Sequence, residues 1–290
     1  LGNYKFRSHD VVDMSQCQVQ CAPNMTLYKK LKTLLQKSPE LARTIDQITA
    51  RTLGTQQTTI IALKQAPTEE ALEPWRTFFN ATDTLSRLEV VSGNASHLTL
   101  VRELPPFTFM NRAWTVSPRS FFQNNLEGAE AIYYTLMSVY EAAPPKGRFI
   151  DLYCGVGIQT MMLERRFEDV VGVECNEDSY RDALANQKGR RPQNLRFWCR
   201  KAEAIFQTPM TKGIIAAIHM NPPRTGLSQR VLRGLAGTKP KIITYLSCNP
   251  MTFKRDAQAI MQQGYRLDSV HAFDLFPGTF HLEILGTFTR

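Results

Sequence analysis

The stretch RFIDLYCGVG at residues 148–157 decides the fold of the second half of this chain. It begins as a short apolar run, which is typical of a buried strand, and it ends as a loop with two glycines. Similar apolar runs recur at 170–174, 195–199, 214–220 and 241–247. Helical patterns lie between them, at 158–167, 177–189, 227–236 and 251–263. This alternation predicts an α/β fold whose parallel sheet is covered by helices on both faces.

The segments that flank this alternation complete the predicted domain. Residues 126–143 form a helical pattern ahead of the first strand. After the last helix, residues 265–276 and 281–289 predict two closing strands that pair antiparallel. Because successive side chains of a strand alternate between its two faces, His281 and Glu283 are predicted to face the same side.

The first part of the chain reads as a separate, smaller α+β domain. A polar, irregular lead-in over residues 1–22 is followed by a helical pattern over 23–50 that Pro39 interrupts. Three further runs predict strands, and a helical stretch near 68–80 lies among them; the strands are 58–64, 85–92 and 97–104. No motif here carries identifiable chemistry, so we interpret this domain as a scaffold or a substrate-docking module.

Basic residues are concentrated in the second half of the chain. The 290 residues carry a formal net charge of +9. Residues 1–144 have 14 Lys and Arg against 13 Asp and Glu, whereas residues 145–290 have 21 against 13. Such an excess favours a polyanionic partner such as RNA, although a generally basic solvated surface gives the same count. No apolar run approaches the roughly 18 residues of a membrane-spanning helix, so no membrane partner is expected.

The loop DLYCGVG at 151–157 follows one predicted strand and leads into a helix, which is the context of a nucleotide-type ligand site. The next strand ends in Glu174, whose carboxylate can accept ribose hydroxyls. A GxGxxG pattern and a phosphate-binding lysine are both missing from this loop. S-adenosylmethionine therefore fits this loop better than NAD or ATP.

Two more loops at strand ends carry polar groups. Asn221 opens the segment NPPR, whose two prolines stiffen the turn, and its amide can pair with a flat base. Cys248 lies in SCNP, directly after another strand, where a reactive thiol competes with the more common buried structural cysteine. Near the end of the chain, His281 and Glu283 form a poor metal pair, because the sequence around them offers no further ligand.

Taken together, FFQNN, DLYCGVG, VVGVE, NPPRTGL, SCNPMTFKRD and FPGTFHLE resemble the S-adenosylmethionine-dependent RNA uridine-5-methyltransferases. The resemblance covers residues 118–290 closely and residues 1–117 more loosely, as the family's central domain. It implies a Rossmann-like S-adenosylmethionine methyltransferase domain preceded by a smaller α+β central domain. It also implies an RNA substrate whose target uridine is single-stranded or flipped out of its stack.

The resemblance assigns roles to particular residues. Cys248 corresponds to the nucleophile that adds to carbon 6 of the uracil, and Glu283 to the general base. Arg224 and His281 correspond to residues that orient the substrate. The methyl donor would be bound by Gln123, Tyr153, Glu174 and Asn221.

Asn221 also bears on the choice of RNA. Most members of the family have DPPR where this chain has NPPR. NPPR resembles the branch that modifies uridine 747 of bacterial 23S ribosomal RNA, so this RNA is the expected substrate. Three alternatives remain open: a transfer RNA enzyme, an RNA-binding member that has lost catalysis, and a methyltransferase for exocyclic amino groups. The last would leave Cys248 and Glu283 without a role.

The six cysteines lack the spacing of a secreted disulfide framework, so a reducing cytoplasm is expected. By resemblance, Cys17 falls where ribosomal RNA branches of the family place the last of four ligands to a 4Fe–4S cluster. The chain begins at Leu1, and we interpret it as part of a longer protein that would supply the other three ligands. The alternative is a cluster-free member that retains one inert cysteine. We expect the protein to be a monomer.

Overall fold

A computed structural model describes residues 1–4, 8, 10–103, 105–141, 146–188 and 194–290. The chain forms two compact units, Leu1–Ala113 and Trp114–Arg290. The division into a central domain over 1–117 and a catalytic domain over 118–290 stays a prediction. Within the described ranges, no helix is long and apolar enough to cross a membrane. Some predicted element ends lie outside the described residues; these are residues 104, 142–143 and 189.

The first unit is built on a four-stranded sheet of order β3-β4-β5-β6. Helices α1 and α3 supply buried side chains, Trp75 among them, to a core with this sheet. Two short strand pairs, β1-β2 and β7-β8, complete it. The elements are β1 (Asn3–Tyr4), β2 (Val11–Val12), α1 (Ala22–Lys37), α2 (Pro39–Thr44), β3 (Ile45–Leu53), β4 (Gln56–Leu63), a 3-10 helix (Glu70–Leu72), α3 (Glu73–Asn80), β5 (Leu85–Ser92), β6 (Ala95–Val101), β7 (Phe107–Phe109) and β8 (Arg112–Trp114).

The predicted helix over 23–50 is wrong beyond Thr44, because β3 starts at Ile45. Ile45 and Ile48 are three residues apart, a spacing that suits a helix, and both pack against the core of the unit. They do so from a strand because β3 pairs antiparallel with β4 through a tight turn at Gly54, whose φ is +56°. Glycine adopts this left-handed conformation without steric cost. The strands predicted at 58–64 and 85–92 are confirmed as β4 and β5.

The second unit is a seven-stranded sheet with helices on both faces. Its strand order is β11-β10-β9-β12-β13-β15-β14, in which β15 alone runs antiparallel to both of its neighbours. The elements are α4 (Leu126–Glu141), β9 (Arg148–Leu152), α5 (Ile158–Met162), β10 (Asp169–Glu174), α6 (Glu177–Gln187), β11 (Leu195–Cys199), two 3-10 helices (Ala202–Gln207 and Pro209–Thr211), β12 (Ile215–Met220), α7 (Gln229–Thr238), β13 (Ile242–Ser247), α8 (Pro250–Met261), β14 (Arg266–Phe273) and β15 (Glu283–Thr289).

The predicted parallel sheet and the antiparallel closing pair are confirmed, and so is the Rossmann-like fold. The core contains fully buried side chains from the central strands, such as Ile150 and Ile218, together with side chains of α7 and α8. A second cluster joins Ile132 and Leu136 of α4 to Leu246 and Leu285 of the sheet. Burial on both faces explains why the strands are continuous apolar runs.

Two predictions in this unit are wrong in detail. Helix α5 ends at Met162 instead of residue 167, because the side-chain amide of Asn194 donates to the carbonyls of Glu164 and Phe167 and holds a turn there. His281 precedes β15, which starts at Glu283, so the two side chains do not share a strand face. The backbone N–H of His281 donates instead to Thr279 Oγ1 in the turn before the strand.

Candidate active site

The loop that follows β9 is held in an unusual backbone conformation. Tyr153, Gly155 and Gly157 have φ angles of +62°, +55° and +82°. The backbone N–H groups of Tyr153 and Cys154 both donate to the carbonyl of Val173 on β10, at 2.9 and 3.2 Å. A side chain at position 157 is excluded, because a Cβ there would lie 2.6 Å from the ring of Phe197. The loop is therefore fixed to the sheet, with its backbone open to a ligand.

Glu174, at the end of β10, is tied to this loop by its carboxylate. Oε2 accepts a hydrogen bond from Gly155 N at 3.0 Å. Oε1 accepts from the N–H groups of Cys175 and Asn176 at 2.8 and 2.7 Å. A carboxylate has about four lone-pair positions, so roughly one remains for a ligand hydroxyl. The structure thus fixes Glu174 more firmly than the sequence indicated.

A cleft of about 570 Å³, including its open mouth, lies next to the loop. Three of the four predicted methyl-donor residues, Gln123, Tyr153 and Asn221, line it together. Glu174 does not line the cleft itself but hydrogen-bonds to Gly155, which does.

The segment that carries Gln123 is anchored by a residue that the sequence did not single out. Asp182 on α6 accepts hydrogen bonds from the backbone N–H and the hydroxyl of Ser117, at 2.6 and 2.7 Å, and from the hydroxyl of Ser120. Asp182 is 3% exposed, so these bonds replace the water that a buried carboxylate would otherwise lose. An isolated aspartate on a predicted helix gives no sequence signal of this role.

The floor of the cleft is polar and buried, which the sequence also did not predict. Burial is the main cause that raises the pKa of Asp151 to about 7, and the negative charge of Glu174 adds to it. The hydroxyl of Thr160 donates to Asp151 at 2.6 Å and opposes this rise. Burial lowers the pKa of His219 to about 3, so its ring is neutral and bonds to Thr244 Oγ1 through Nδ1.

Cys248 and Glu283 meet at the same edge of the sheet. Strands β13 and β15 pair antiparallel up to Ser247 and Ile284. Cys248 directly follows the last paired residue of β13, and Glu283 directly precedes that residue's partner on β15. On its other side Glu283 is paired with Phe273 of β14. Two residues 35 positions apart in the sequence are thus neighbours because one strand ends where the other begins.

The electrostatics of this pair involve a third residue, Arg224. Burial is the main cause that raises the pKa of the Cys248 thiol, and the charge of Glu283 raises it further. The guanidinium of Arg224 lowers the same pKa through its charge and a hydrogen bond. Burial likewise raises the pKa of Glu283, and Arg224 opposes that shift. Thiol, carboxylate and guanidinium therefore form one interacting cluster, in which Glu283 Oε2 has no hydrogen-bond partner among the described residues.

Two contacts place the Arg224 loop against the Cys248 loop. The carbonyl of Arg224 accepts hydrogen bonds from Asn249 Nδ2 at 3.3 Å and from Thr252 Oγ1 at 3.4 Å. Asn249 also caps helix α8, since its side chain accepts from Met251 N. The segments NPPR (221–224) and SCNP (247–250) are thus bonded to each other.

Asp256 organises the rest of this region, although no role was predicted for it. It is fully buried, and its Oδ2 accepts from Leu227 N at 2.8 Å and from the Tyr245 hydroxyl at 2.9 Å. The Arg255 guanidinium pairs with Oδ1 at 2.8 Å. Gly226 has a φ of +76°, and a Cβ at this position would lie 2.4 Å from Asp256. The carboxylate therefore fixes the chain just after Arg224.

The remaining predicted site residues lie elsewhere. His281 is half-buried between two rings, Phe276 at 6.2 Å and Phe280 at 4.3 Å between centroids. Cys17 belongs to the first unit and has a free thiol, as does Cys21. No group of three His, Cys, Asp or Glu that could hold a metal exists in the part of the chain that the structure describes. The donors among the described residues do not fit a 4Fe–4S cluster.

Several known proteins are similar to this chain. It is 27% identical to an uncharacterized RNA methyltransferase of Bacillus cereus, over 100% of this chain and 67% of the relative. It is 29% identical to one from Listeria innocua, over 99% and 67%. The chain thus spans about two thirds of the length of these curated relatives.

Among solved structures, the fold is similar to the Pyrococcus abyssi tRNA (uracil-54, C5)-methyltransferase in complex with S-adenosyl-L-homocysteine. That similarity has a TM-score of 0.69 at 20% identity and covers 97% of this chain and 70% of the other. A family model described as tRNA (Uracil-5-)-methyltransferase matches residues 110–289, which is more than half of the chain. The chain belongs to this family of RNA uracil-5-methyltransferases.

Proposed function

We propose that this chain transfers a methyl group from S-adenosylmethionine to carbon 5 of a uridine in RNA, with 23S ribosomal RNA as the substrate. The observation that carries the proposal is the register of β13 and β15, which brings a thiol and a carboxylate together at the sheet edge. The cleft beside Tyr153 is lined by residues that directly follow β9 and β12, and β12 pairs with β13. A nucleophile, a base and a cofactor cleft along one edge are the parts that this reaction needs.

The cleft supports S-adenosylmethionine as the methyl donor. Tyr153 and the open backbone of the loop would contact the nucleoside, and Glu174 has room for one ribose hydroxyl in addition to its three backbone bonds. Gln123 and Asn221 would supply amide groups to the polar atoms of the donor. When bound, S-adenosylmethionine supplies an electrophilic methyl group on a sulfonium, which carbon 5 of the uracil takes as the thioether leaves.

Cys248 would act first. Carbon 5 of uracil is a weak nucleophile until a group adds at carbon 6. The sulfur of Cys248 would form a bond to carbon 6 while the thiol proton leaves to solvent, and the C5–C6 electrons would move into an enolate at oxygen 4. Because the pKa of Cys248 is raised in the free site, the Arg224 guanidinium is needed to favour the thiolate at this step.

Glu283 would complete the reaction. Once carbon 5 is methylated, it still carries its original proton, and the carboxylate of Glu283 would remove it. The electrons of that C–H bond re-form the C5–C6 double bond, and the bond between carbon 6 and Cys248 breaks. The products are 5-methyluridine, the regenerated thiolate and a protonated Glu283. The raised pKa of Glu283 suits a base that must take a proton from carbon.

The choice between ribosomal and transfer RNA rests on fewer observations than the uracil chemistry. The NPPR segment around Asn221 favours ribosomal RNA, by its resemblance to the branch that modifies uridine 747. The description of the matching family favours transfer RNA as a second candidate. The excess of basic residues in 145–290 supports either, because both are polyanions.

Covalent trapping tests the proposal directly. Short RNA that contains 5-fluorouridine is incubated with the protein and S-adenosylmethionine, and a denaturing gel is examined for a protein–RNA adduct. An adduct is expected, because fluorine at carbon 5 cannot leave as a proton. Cys248→Ala should abolish it, whereas the matched control Cys21→Ala, an exposed cysteine of the first unit, should not. No adduct with the unsubstituted protein, although it binds both reactants, would refute the mechanism.

Transcripts distinguish the two RNA substrates. Unmodified bacterial 23S ribosomal RNA and transfer RNA are offered separately with labelled methyl donor, and 5-methyluridine is measured by mass spectrometry. Incorporation into ribosomal RNA alone is expected. Incorporation into transfer RNA alone would contradict the ribosomal assignment and leave the uracil chemistry intact.

A further inference from the structure

Two apolar side chains, Met251 and Phe280, are exposed on the segments that leave the reacting pair. They are the two most exposed large hydrophobic side chains of the described residues, at 74% and 76%. Met251 follows Cys248 by three positions, and Phe280 precedes Glu283 by three. Since β13 ends and β15 begins at the same edge of the sheet, both side chains belong to the surroundings of this pair.

The Phe280 ring is held in place although it is exposed. Its neighbour is the ring of His281, at 4.3 Å between centroids, which in turn contacts Phe276. Phe276 packs against the buried cluster around α4. The turn below the ring is closed by a hydrogen bond from the Thr279 hydroxyl to the carbonyl of Phe276, at 2.8 Å. A ring on such a support loses little conformational entropy when a ligand covers it.

Met251 is fixed by the same residue that joins the two site loops. It lies in the first turn of α8, and its backbone N–H donates to Asn249 Oδ1 at 3.0 Å. Asn249 also donates to the carbonyl of Arg224. The backbone at Met251 is therefore anchored, and its flexible, polarisable thioether can adapt to a flat surface.

We infer that Met251 and Phe280 form a stacking surface for the bases next to the target uridine in single-stranded RNA. The inference rests on the proposed function. A uridine attacked at carbon 6 must leave its stack, and its neighbours then lose a stacking partner. An exposed apolar side chain on each of the two segments that carry the reacting pair can replace that partner. Stacking does not depend on base identity, because every base presents a π-face.

The charges around these side chains favour RNA over another protein as the occupant. The first turn of α8 contains no acidic residue, and Lys254 follows Met251 in an exposed position, whereas the exposed Arg255 pairs with Asp256. Arg224 is exposed beside the reacting pair. Exposed cations on the same segments as exposed apolar groups fit a ligand that has both phosphates and flat bases. Residues 274–280, which lead to the Phe280 ring, contain one acidic residue, Asp274, and its Oδ1 accepts a hydrogen bond from Phe276 N.

A double-mutant cycle, which combines side-chain substitutions in the protein with abasic nucleotides in the RNA, tests the inference. The probe is a short, labelled single-stranded RNA with one uridine among adenosines, and its affinity is measured by fluorescence anisotropy without a methyl donor. Phe280→Ala is expected to weaken binding about tenfold, and Met251→Ala by a smaller factor in the same direction. With abasic nucleotides on both sides of the uridine, the variants and the original protein should bind alike. The slope of affinity against salt should not change, since stacking releases no counterions.

Ile214→Ala is the matched control. Ile214 is 62% exposed and precedes β12, so it lies at the opposite edge of the parallel sheet. It should leave the affinity unchanged, and all three variants should keep the unfolding temperature because the side chains are exposed. Equal loss on intact and abasic RNA, or no loss on either, would overturn the inference. A change in sedimentation instead of RNA affinity would overturn it in favour of a surface for a second copy of the chain.

This experiment and the trapping experiment fail independently. If 5-fluorouridine RNA forms an adduct but Met251→Ala and Phe280→Ala bind intact RNA as tightly as the original protein, the stacking surface alone is refuted. If the variants lose affinity for intact RNA but not for abasic RNA, and no adduct forms, the RNA surface is retained and the uracil chemistry is refuted.

Discussion

Replacing Glu283 with glutamine is expected to leave methyl transfer intact and to block release of the product. The side chain is 7% exposed, and glutamine has nearly the same volume, so the fold should accept it. A glutamine amide cannot accept the proton from carbon 5. A positioned general base contributes about 10²–10⁴-fold, so release should slow by about that factor while addition of Cys248 continues. The methylated RNA should therefore accumulate as a covalent adduct with the protein.

The same substitution should stabilise the folded protein at neutral pH. Burial raises the pKa of Glu283 above its ordinary value of 4.5, so the folded state binds this proton more tightly than the unfolded state. The contribution of this group to stability is therefore greatest below pH 4.5 and is lost as the pH rises through the folded pKa. Glutamine stays neutral throughout. Glu283→Gln should thus raise the unfolding temperature at neutral pH, and the difference should shrink as the pH falls toward 4.5.

The assay uses uridine RNA and donor labelled on the methyl group. The label should remain with the Glu283→Gln protein on a denaturing gel, whereas Glu168→Gln, an exposed glutamate ahead of β10, should release its product normally. His281→Ala is measured in parallel. If His281→Ala trapped the adduct and Glu283→Gln turned over normally, the two roles would be reversed. If neither variant trapped RNA, the covalent path would be wrong.

Three further substitutions test the parts that surround this pair. Arg224→Met should raise the pKa of Cys248 further, because a nearby cation is lost, and alkylation by iodoacetamide should shift to higher pH; an unchanged pH profile would contradict this. Asp256→Ala leaves a buried backbone N–H and the Tyr245 hydroxyl without an acceptor, at about 1–3 kcal/mol each, so chemical denaturation should show a loss of about 2–6 kcal/mol. Glu174→Ala should weaken S-adenosylmethionine binding by about 1.5–3 kcal/mol in calorimetry, and unchanged affinity would remove it from the donor site.

The sheet of the second unit could be predicted from the sequence because each of its parallel strands is buried on both faces. Such strands are short apolar runs, and the chain separates them by helical patterns of ordinary length. The errors arose where a local pattern competes with a contact from elsewhere. Ile45 and Ile48 have helical spacing, yet pairing with β4 makes them part of a strand. Helix α5 is shortened by Asn194, which lies about 30 residues further along the chain.

The site was predictable to the extent that it lies at strand ends. The resemblance assigned Tyr153 and Asn221 to one methyl-donor site, and they line one cleft because each directly follows a parallel strand and these strands end at one edge. The supporting carboxylates were not predictable. Asp182 and Asp256 hold partners up to 65 and 29 positions away, and such pairs leave no trace in spacing. The predicted shared strand face of His281 and Glu283 was wrong because a turn precedes β15.

The effect of Glu283 on the pKa of Cys248 gives a reason for the arrangement of charged groups around this pair. Each anionic form would repel the other, and burial disfavours both, so the free site holds a thiol in place of a thiolate. A permanent thiolate close to a bound sulfonium would be methylated itself, since thiolate is the nucleophilic form of cysteine. Arg224 is exposed and opposes the rise of both pKa values, so it can shift this balance when a substrate excludes water around it. If Cys248 and Glu283 act as proposed, the cluster would keep the thiol protonated until RNA excludes water from the site, which gives a reason for a buried carboxylate and an exposed guanidinium to share one thiol.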